Sequence, residues 1–155
     1  MKQLALALLL ATLSCHAQTP VQNLYALGGS YNPNAQPSVA GTFMGAHYVA
    51  APGSYAFMVV DVVPTAVKPF TPTENMGVGI AQRMFTIANV SLFMPTSAGV
   101  GWTGANVGWQ YTGGAALVIG LKHNFCLVPT VRFLKSSVGG SGFQPVFGLN
   151  LGFGK

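Results

Sequence analysis

The strongest constraint on this sequence is high hydropathy without any run long enough to cross a bilayer as a helix. Mean hydropathy is +0.48. Only 6% of residues are charged, against about 25% in ordinary globular domains. A spanning helix needs ~20 apolar residues in a row. The longest run here, Leu4 to Leu13, is about half that length. Later runs, such as Phe57 to Val60 and Leu117 to Leu121, stop sooner. Seven basic and two acidic side chains leave little with which to build a soluble surface. Two architectures remain: a closed β-barrel in lipid, or a compact secreted all-β domain.

No 3.6-residue apolar period persists along the chain, and β-branched residues, aromatics and glycine dominate. Turn residues cut the sequence into segments of about ten residues, the length a tilted spanning strand needs. Strands are expected over Asn23–Tyr31, Val39–Ala50, Ser54–Val63, Gly77–Arg83, Thr86–Met94, Trp109–Leu121, Phe125–Leu134 and Phe143–Phe153. Connections alternate between short (Ala51-Pro52-Gly53, Lys122-His123-Asn124) and long (Asn32–Ser38, Pro64–Met76, Pro95–Gly108, Lys135–Gly142). An outer-membrane barrel sorts its loops in this way, short on the periplasmic side and long outside. A soluble sandwich has no reason to do so.

Residues adjacent in a strand face opposite sides. In the last segment Phe147, Leu149, Leu151 and Phe153 share one face, and Gly148, Asn150, Gly152 and Gly154 the other. Val78 and Ile80 likewise oppose Gly77, Gly79 and Ala81. Small residues on the inner face suit an eight-stranded barrel, whose interior is only wide enough for side chains. The third segment breaks the pattern, because both of its faces are apolar; a bulge or an apolar plug of the interior would explain it. Pro129 falls mid-strand, where a missing ladder donor points to a bulge or a displaced boundary. Aromatics such as Tyr25, Tyr31, Trp109, Phe125, Phe133 and Phe153 lie near strand ends, as interfacial girdles do.

Met1-Lys2 and the apolar run after it have the form of a secretory signal. Cys15-His16-Ala17 places small residues at the −3 and −1 positions, so cleavage after Ala17 would start the mature chain at Gln18. The division is therefore a signal peptide over 1–17 and a barrel over 18–155. Lipidation of Cys15 is the rival processing, and Thr12-Leu13-Ser14 fits it poorly. Cleavage would leave Cys126 as the one cysteine, a small apolar residue in a strand that cannot form an internal disulfide.

The C-terminal stretch from Pro145 to Lys155 resembles the last strand of bacterial outer-membrane β-barrel proteins of the small eight-stranded type. In that superfamily the strand carries an assembly signal of glycine, a later hydrophobic residue and an aromatic. Gly148, Leu151 and Phe153 occupy those places, although Val146 stands where a polar residue is usual and two residues follow the aromatic. The resemblance implies an all-β, eight-stranded antiparallel up-and-down transmembrane barrel. It also implies the outer membrane of a Gram-negative bacterium as location, with membrane lipid and the barrel-assembly machinery as partners. It implies no particular activity.

Chemistry is sparse. The formal net charge of +5 becomes +4 once Lys2 leaves (six basic minus two acidic). No Lys/Arg cluster exists, so a nucleic-acid partner is not expected. His123 sits in a tight turn and should be solvated, whereas His47 should point inward as a hydrogen-bonded imidazole. Neither stands beside a serine and carboxylate in a catalytic spacing, so no catalytic residue is assigned and no enzyme activity is expected. No ligand spacing for zinc and no cofactor-binding motif is present. One constellation stands out: Asp61, Arg83 and Arg132. Charges facing lipid are costly, so these should turn inward, where the three would form a buried ion network, or sit at strand ends. The expected role is a non-enzymatic barrel that anchors surface loops of unidentified partner. A secreted barrel binding a small apolar ligand is the alternative, and a lipid-modifying outer-membrane enzyme the third reading.

Overall fold

A computed structural model describes residues 22–34, 39–50, 53–63, 73–103, 106–138 and 142–154. The expected signal segment, Cys15 and most of the Pro64–Met76 connection lie outside these residues. Eight strands follow in chain order: β1 (Asn23–Tyr31), β2 (Val39–Ala50), β3 (Ser54–Val63), β4 (Thr73–Ile87), β5 (Val90–Thr103), β6 (Asn106–Gly120), β7 (Phe125–Ser136) and β8 (Gln144–Gly154). Each pairs antiparallel with its neighbour in sequence, and β1 closes on β8 from Leu24↔Gly154 to Tyr31↔Phe147. The result is a closed, eight-stranded, up-and-down antiparallel barrel, with no open sheet edge. All its ladder hydrogen bonds are made between strands, as a structure in lipid requires.

The first three strands run over the expected residues, because Pro and Gly punctuate their ends. Two connections differ from expectation. β4 and β5 join through Ala88 and Asn89, with Ala88 at φ 52°, and not between Arg83 and Thr86. Alanine announces no turn, but Asn89 holds the hairpin by accepting from Gly120 N (2.7 Å) and donating from Nδ2 to Gly120 O (2.9 Å). The expected Pro95–Gly108 loop is mostly strand: β5 runs to Thr103 and β6 begins at Asn106. Gly99, Gly101 and Gly108 read as turn residues in the sequence and are ladder residues in the fold. The β6–β7 turn behaves as expected, with His123 and Asn124 at φ 61° and 64° and Phe125 N donating to Lys122 O at 3.3 Å. Positive φ at both central residues marks a type I′ hairpin, whose twist matches the strands it joins.

Pro129 causes neither a bulge nor a strand end. It stays in register opposite Leu149, while the β6–β7 ladder passes from Ala116↔Thr130 to Ile119↔Leu127 without a shift. The two intervening pairs are simply not made, so the missing donor costs local pairing and not register. Pro95 does the same between β5 and β6, where Phe93↔Ala116 is followed by Thr96↔Gly113. Register does shift at Tyr48/Ala50 and Arg83/Phe85, beside the short turns.

Two glycines show why small residues are needed at close approaches. A methyl on Gly79 would lie 2.0 Å from Thr96 O, and one on Gly114 would lie 2.0 Å from Val131 O. Neighbouring backbones come too near at these points for any Cβ, as at the glycine kinks that let a sheet curl shut.

Outward-facing residues are apolar across the middle of the barrel. Leu27, Val78, Ile80, Leu149 and Leu151 are each more than half exposed. Aromatics flank this belt. Tyr25, Phe153 and Phe125 form one row across β1, β8 and β7. Tyr31, Phe147, Trp109, Tyr111 and Phe133 mark the opposite side, with Trp109 and Tyr111 tilted together at 5.5 Å or less between centroids (5.4 Å). The six positions from Tyr25 to Tyr31 span about 20 Å at strand rise. Lys135 caps the second row, its Nζ 5.3 Å from the Phe143 ring centroid. Between the rows, the described outward residues carry no charge. A belt of this form fits lipid, and water would not wet it.

Candidate functional site

The lumen is divided. In the half next to the longer connections, hereafter the loop end, Ser30, Thr42, Asp61, Asn75, Ser97, Gln110, Thr112, Thr130, Arg132 and Asn150 are all buried. In the half next to the short turns, the turn end, the wall is Ala26, Met44, Tyr55, Phe57, Ala81, Phe93, Cys126 and Val128.

Strand alternation sorts these residues. On β3, Tyr55, Phe57, Val59 and Asp61 face inward and Ala56, Met58 and Val62 outward. Its two apolar faces thus line a lumen and meet lipid. No bulge lies within it; three aromatic and aliphatic side chains plug the interior. Tyr55 sits edge-on between Tyr48 (5.5 Å) and Phe93 (5.3 Å).

Of the three charges singled out in the sequence, the fold joins two. Arg132 Nη1 donates to Asp61 Oδ2 at 3.0 Å and Nη2 to Asp61 Oδ1 at 2.8 Å. Two parallel charge-assisted bonds hold both planes fixed. Thr42 donates to Asp61 Oδ1 at 2.6 Å, and its hydroxyl lies 2.9 Å from Ser30 Oγ. Arg132 is 2% exposed and Asp61 6%, so the pair crosses the lumen away from solvent. Arg83 is elsewhere. Asn75, not Arg83, pairs with Asp61 across β3 and β4. Arg83 follows eight positions on, about 26 Å along the strand. It is half-buried at the turn end, its backbone N donating to Gly53 O at 2.8 Å.

Glycines shape the polar half. A Cβ on Gly77 would meet Ser97 Oγ at 2.9 Å, and one on Gly101 would meet Asn75 Oδ1 at 2.6 Å. Their inner faces leave room for the fully buried Gln110. Ser97 and Thr112 pair through their hydroxyls, and Asn150 Nδ2 donates to Val128 O at 3.2 Å. Gln110 Oε1, Thr130 Oγ1, Arg132 Nε and Asn150 Oδ1 are buried without a protein partner.

Between the Arg132–Asp61 pair and the turn end lies a cavity of about 250 Å³, walled mainly by apolar side chains, Tyr55 and Phe57 among them, and reaching the exposed turn residues Leu121 and Asn124. Nothing in the sequence motifs marked it. The signal present was the doubly apolar β3 opposite the small residues Ala26, Ala81 and Ala116.

His47 faces outward, contrary to the inward placement expected. Thr42, Met44 and Ala46 take the inner face of β2, leaving His47 exposed with Nδ1 2.6 Å from Asn23 Oδ1. His123 is exposed in its turn. Among the described residues, no three His, Cys, Asp or Glu side chains come together as a metal site. In the C-terminal strand, Leu151 and Phe153 face outward, with Phe153 edge-on to Phe125 at 5.9 Å. Gly148 faces inward, where a Cβ would lie 2.4 Å from Thr130 Oγ1.

Solved structures share this fold. The N-terminal β-barrel domain of Pseudomonas aeruginosa OprF superposes with a TM-score of 0.62 at 11% identity, covering 89% of this chain and 100% of that one. The chain has the fold of a small transmembrane β-barrel. Ail, the attachment invasion locus protein of Yersinia pestis, matches with a TM-score of 0.52 at 12% identity, over 88% of this chain and 98% of that one. A de novo designed transmembrane β-barrel matches at 0.54 and 12% identity, over 89% and 98%. No protein-family model and no curated protein matches the sequence. At such identities the likeness concerns architecture, and function must be argued from the site.

Proposed function

We propose that this protein is a non-enzymatic outer-membrane barrel, exported with residues 1–17 as a cleaved signal, that anchors its long connections at the cell surface. The observation that carries the reading is an uncharged apolar belt around a lumen closed by the Arg132–Asp61 pair. The belt supports residence in lipid; the closed lumen argues against solute passage. Membrane lipid and the assembly machinery are the partners this reading entails, with Gly148, Leu151 and Phe153 on the strand that the machinery would read. The connections within 32–38, 64–72 and 137–143 would form the contact surface. Lipid-modifying catalysis is disfavoured by the outward His47, whose polar partner is Asn23, while Asp61 is committed to Arg132.

An epitope inserted within 64–72 should be labelled by antibody on intact cells. One inserted at Lys122-His123-Asn124 should be labelled only after the outer membrane is permeabilised. The reverse pattern, or recovery of the protein in the soluble fraction, overturns the proposal.

A further inference from the structure

The turn-end cavity has features that a space-filling core does not need. At about 250 Å³ it exceeds the ~150 Å³ apolar cavity that stays dry and takes benzene. The wall is Met44, Phe57, Phe93, Cys126 and Val128, and the mouth reaches exposed residues of the β6–β7 turn. Arg83 lines the same space. Its side chain packs beside the Gly53 turn and makes no hydrogen bond or ion pair among the described residues. An arginine with an apolar chamber before it and, among the described residues, no carboxylate paired with it is half of an amphiphile site.

The distribution of charge strengthens this reading. Both acidic residues of the chain, Asp61 and Glu74, stand at the loop end of β3 and β4, opposite Asn75 and Val62 respectively. Lys122, exposed in the β6–β7 turn, stands at the same end as Arg83. The field at the mouth therefore favours an anion. A guanidinium offers a planar fork suited to a carboxylate.

We propose that this half of the lumen binds a single-chain anionic amphiphile, a medium- or long-chain carboxylate. Its chain would lie among Phe57, Phe93 and Val128 and its head at Arg83. The Arg132–Asp61 pair above sets the depth to which the chain can enter. The inference goes beyond the anchoring role and does not rest on it, since the chamber and its cation belong to the folded barrel wherever that barrel resides.

The test uses the barrel in lipid nanodiscs, with decanoate carrying ¹³C in its carboxyl group as the ligand. Heat-modifiability of each preparation on SDS gels confirms that it is folded. The expected result is a saturable bound resonance, one per barrel, absent from empty nanodiscs. Arg83→Gln should weaken binding at least tenfold, and Arg83→Lys should recover part of it. Ala116→Phe, which fills the chamber, should abolish binding. Decanol, with the chain but no charge, should compete poorly. A folded wild type with no resonance beyond that of empty nanodiscs overturns the proposal. So does binding that Arg83→Gln leaves unchanged. Failure of the membrane reading would instead appear as a barrel that remains monomeric in buffer, where the same titration can be run.

Discussion

Replacing Asp61 by alanine isolates the contact that closes the lumen. The carboxylate receives three hydrogen bonds, two from Arg132 and one from Thr42. Arg132 is 2% exposed and its Nε already lacks a partner, so the variant leaves a guanidinium buried with no counter-charge. Hydrogen bonds to charged groups contribute about 1.5–3 kcal/mol each, and their sum overstates the loss because the carboxylate's own desolvation penalty disappears with it. Breaking one side of a buried pair costs about 3–5 kcal/mol, and we expect Asp61→Ala to fall in that range. Arg132→Met should also destabilise, because Asp61 is then left to Thr42 alone. The double variant Asp61→Ala/Arg132→Met should return to within about 2 kcal/mol of the wild type, since an apolar replacement of both charges removes the unpaired ion. The assay is reversible denaturant unfolding of the barrel in phospholipid vesicles, followed by the emission of its two tryptophans, Trp102 and Trp109. Additive effects of the two single changes, or a loss below ~1 kcal/mol for Asp61→Ala, would refute the claim that the pair is buried and coupled.

Other expectations follow from the same geometry. Leu149→Arg, at the middle of the lipid belt, should cost about 2–4 kcal/mol in the same unfolding assay, with much less effect from Lys135→Ala at the rim. Gly79→Ala places a methyl against Thr96 O and should slow or prevent folding into vesicles, measured by the gel-shifted fraction over time. Phe57→Ala enlarges an existing cavity and should lower stability by about 3–5 kcal/mol. Because the polar layer stays in place, ion conductance in planar bilayers should remain at background in that variant. His47→Ala should change stability by no more than about 0.5 kcal/mol, as for other exposed sites, whereas an inward histidine would have cost more.

Much of the architecture was legible because lipid imposes a simple rule on strands. Leu149, Leu151 and Phe153 alternate with Asn150, Gly152 and Gly154, and the structure turns the first set outward and the second inward. Turns with Pro-Gly or adjacent asparagine chemistry, at 51–53 and 122–124, were readable; the Ala88-Asn89 hairpin was not, since alanine at positive φ leaves no trace in composition. Glycine was ambiguous throughout. It reads as a loop residue at Gly99 and Gly101, yet there it relieves crowding between adjacent strands and around Asn75. Facing could be inferred strand by strand only where one face was small or polar. β3 has no such face, so neither the inward Asp61 nor its partner could be fixed from the sequence. Arg83 shares the inward parity of its strand but sits too far along it to reach Asp61. That separation depends on register, which no local pattern encodes. The cavity is a collective property of several strands, and its trace in the sequence, the doubly apolar β3 and the small residues Ala26, Ala81 and Ala116, becomes readable only once the strands are placed around it.

The central claim is that this chain closes into a barrel whose outside belongs in lipid. Folding residues 18–155 into detergent micelles and comparing boiled with unboiled samples on SDS gels tests it most directly, with circular dichroism on the same preparations. A mobility shift on boiling, and a β-sheet spectrum that survives SDS until heating, is the predicted result. A soluble monomer obtained without detergent, with identical mobility before and after boiling, would contradict the account.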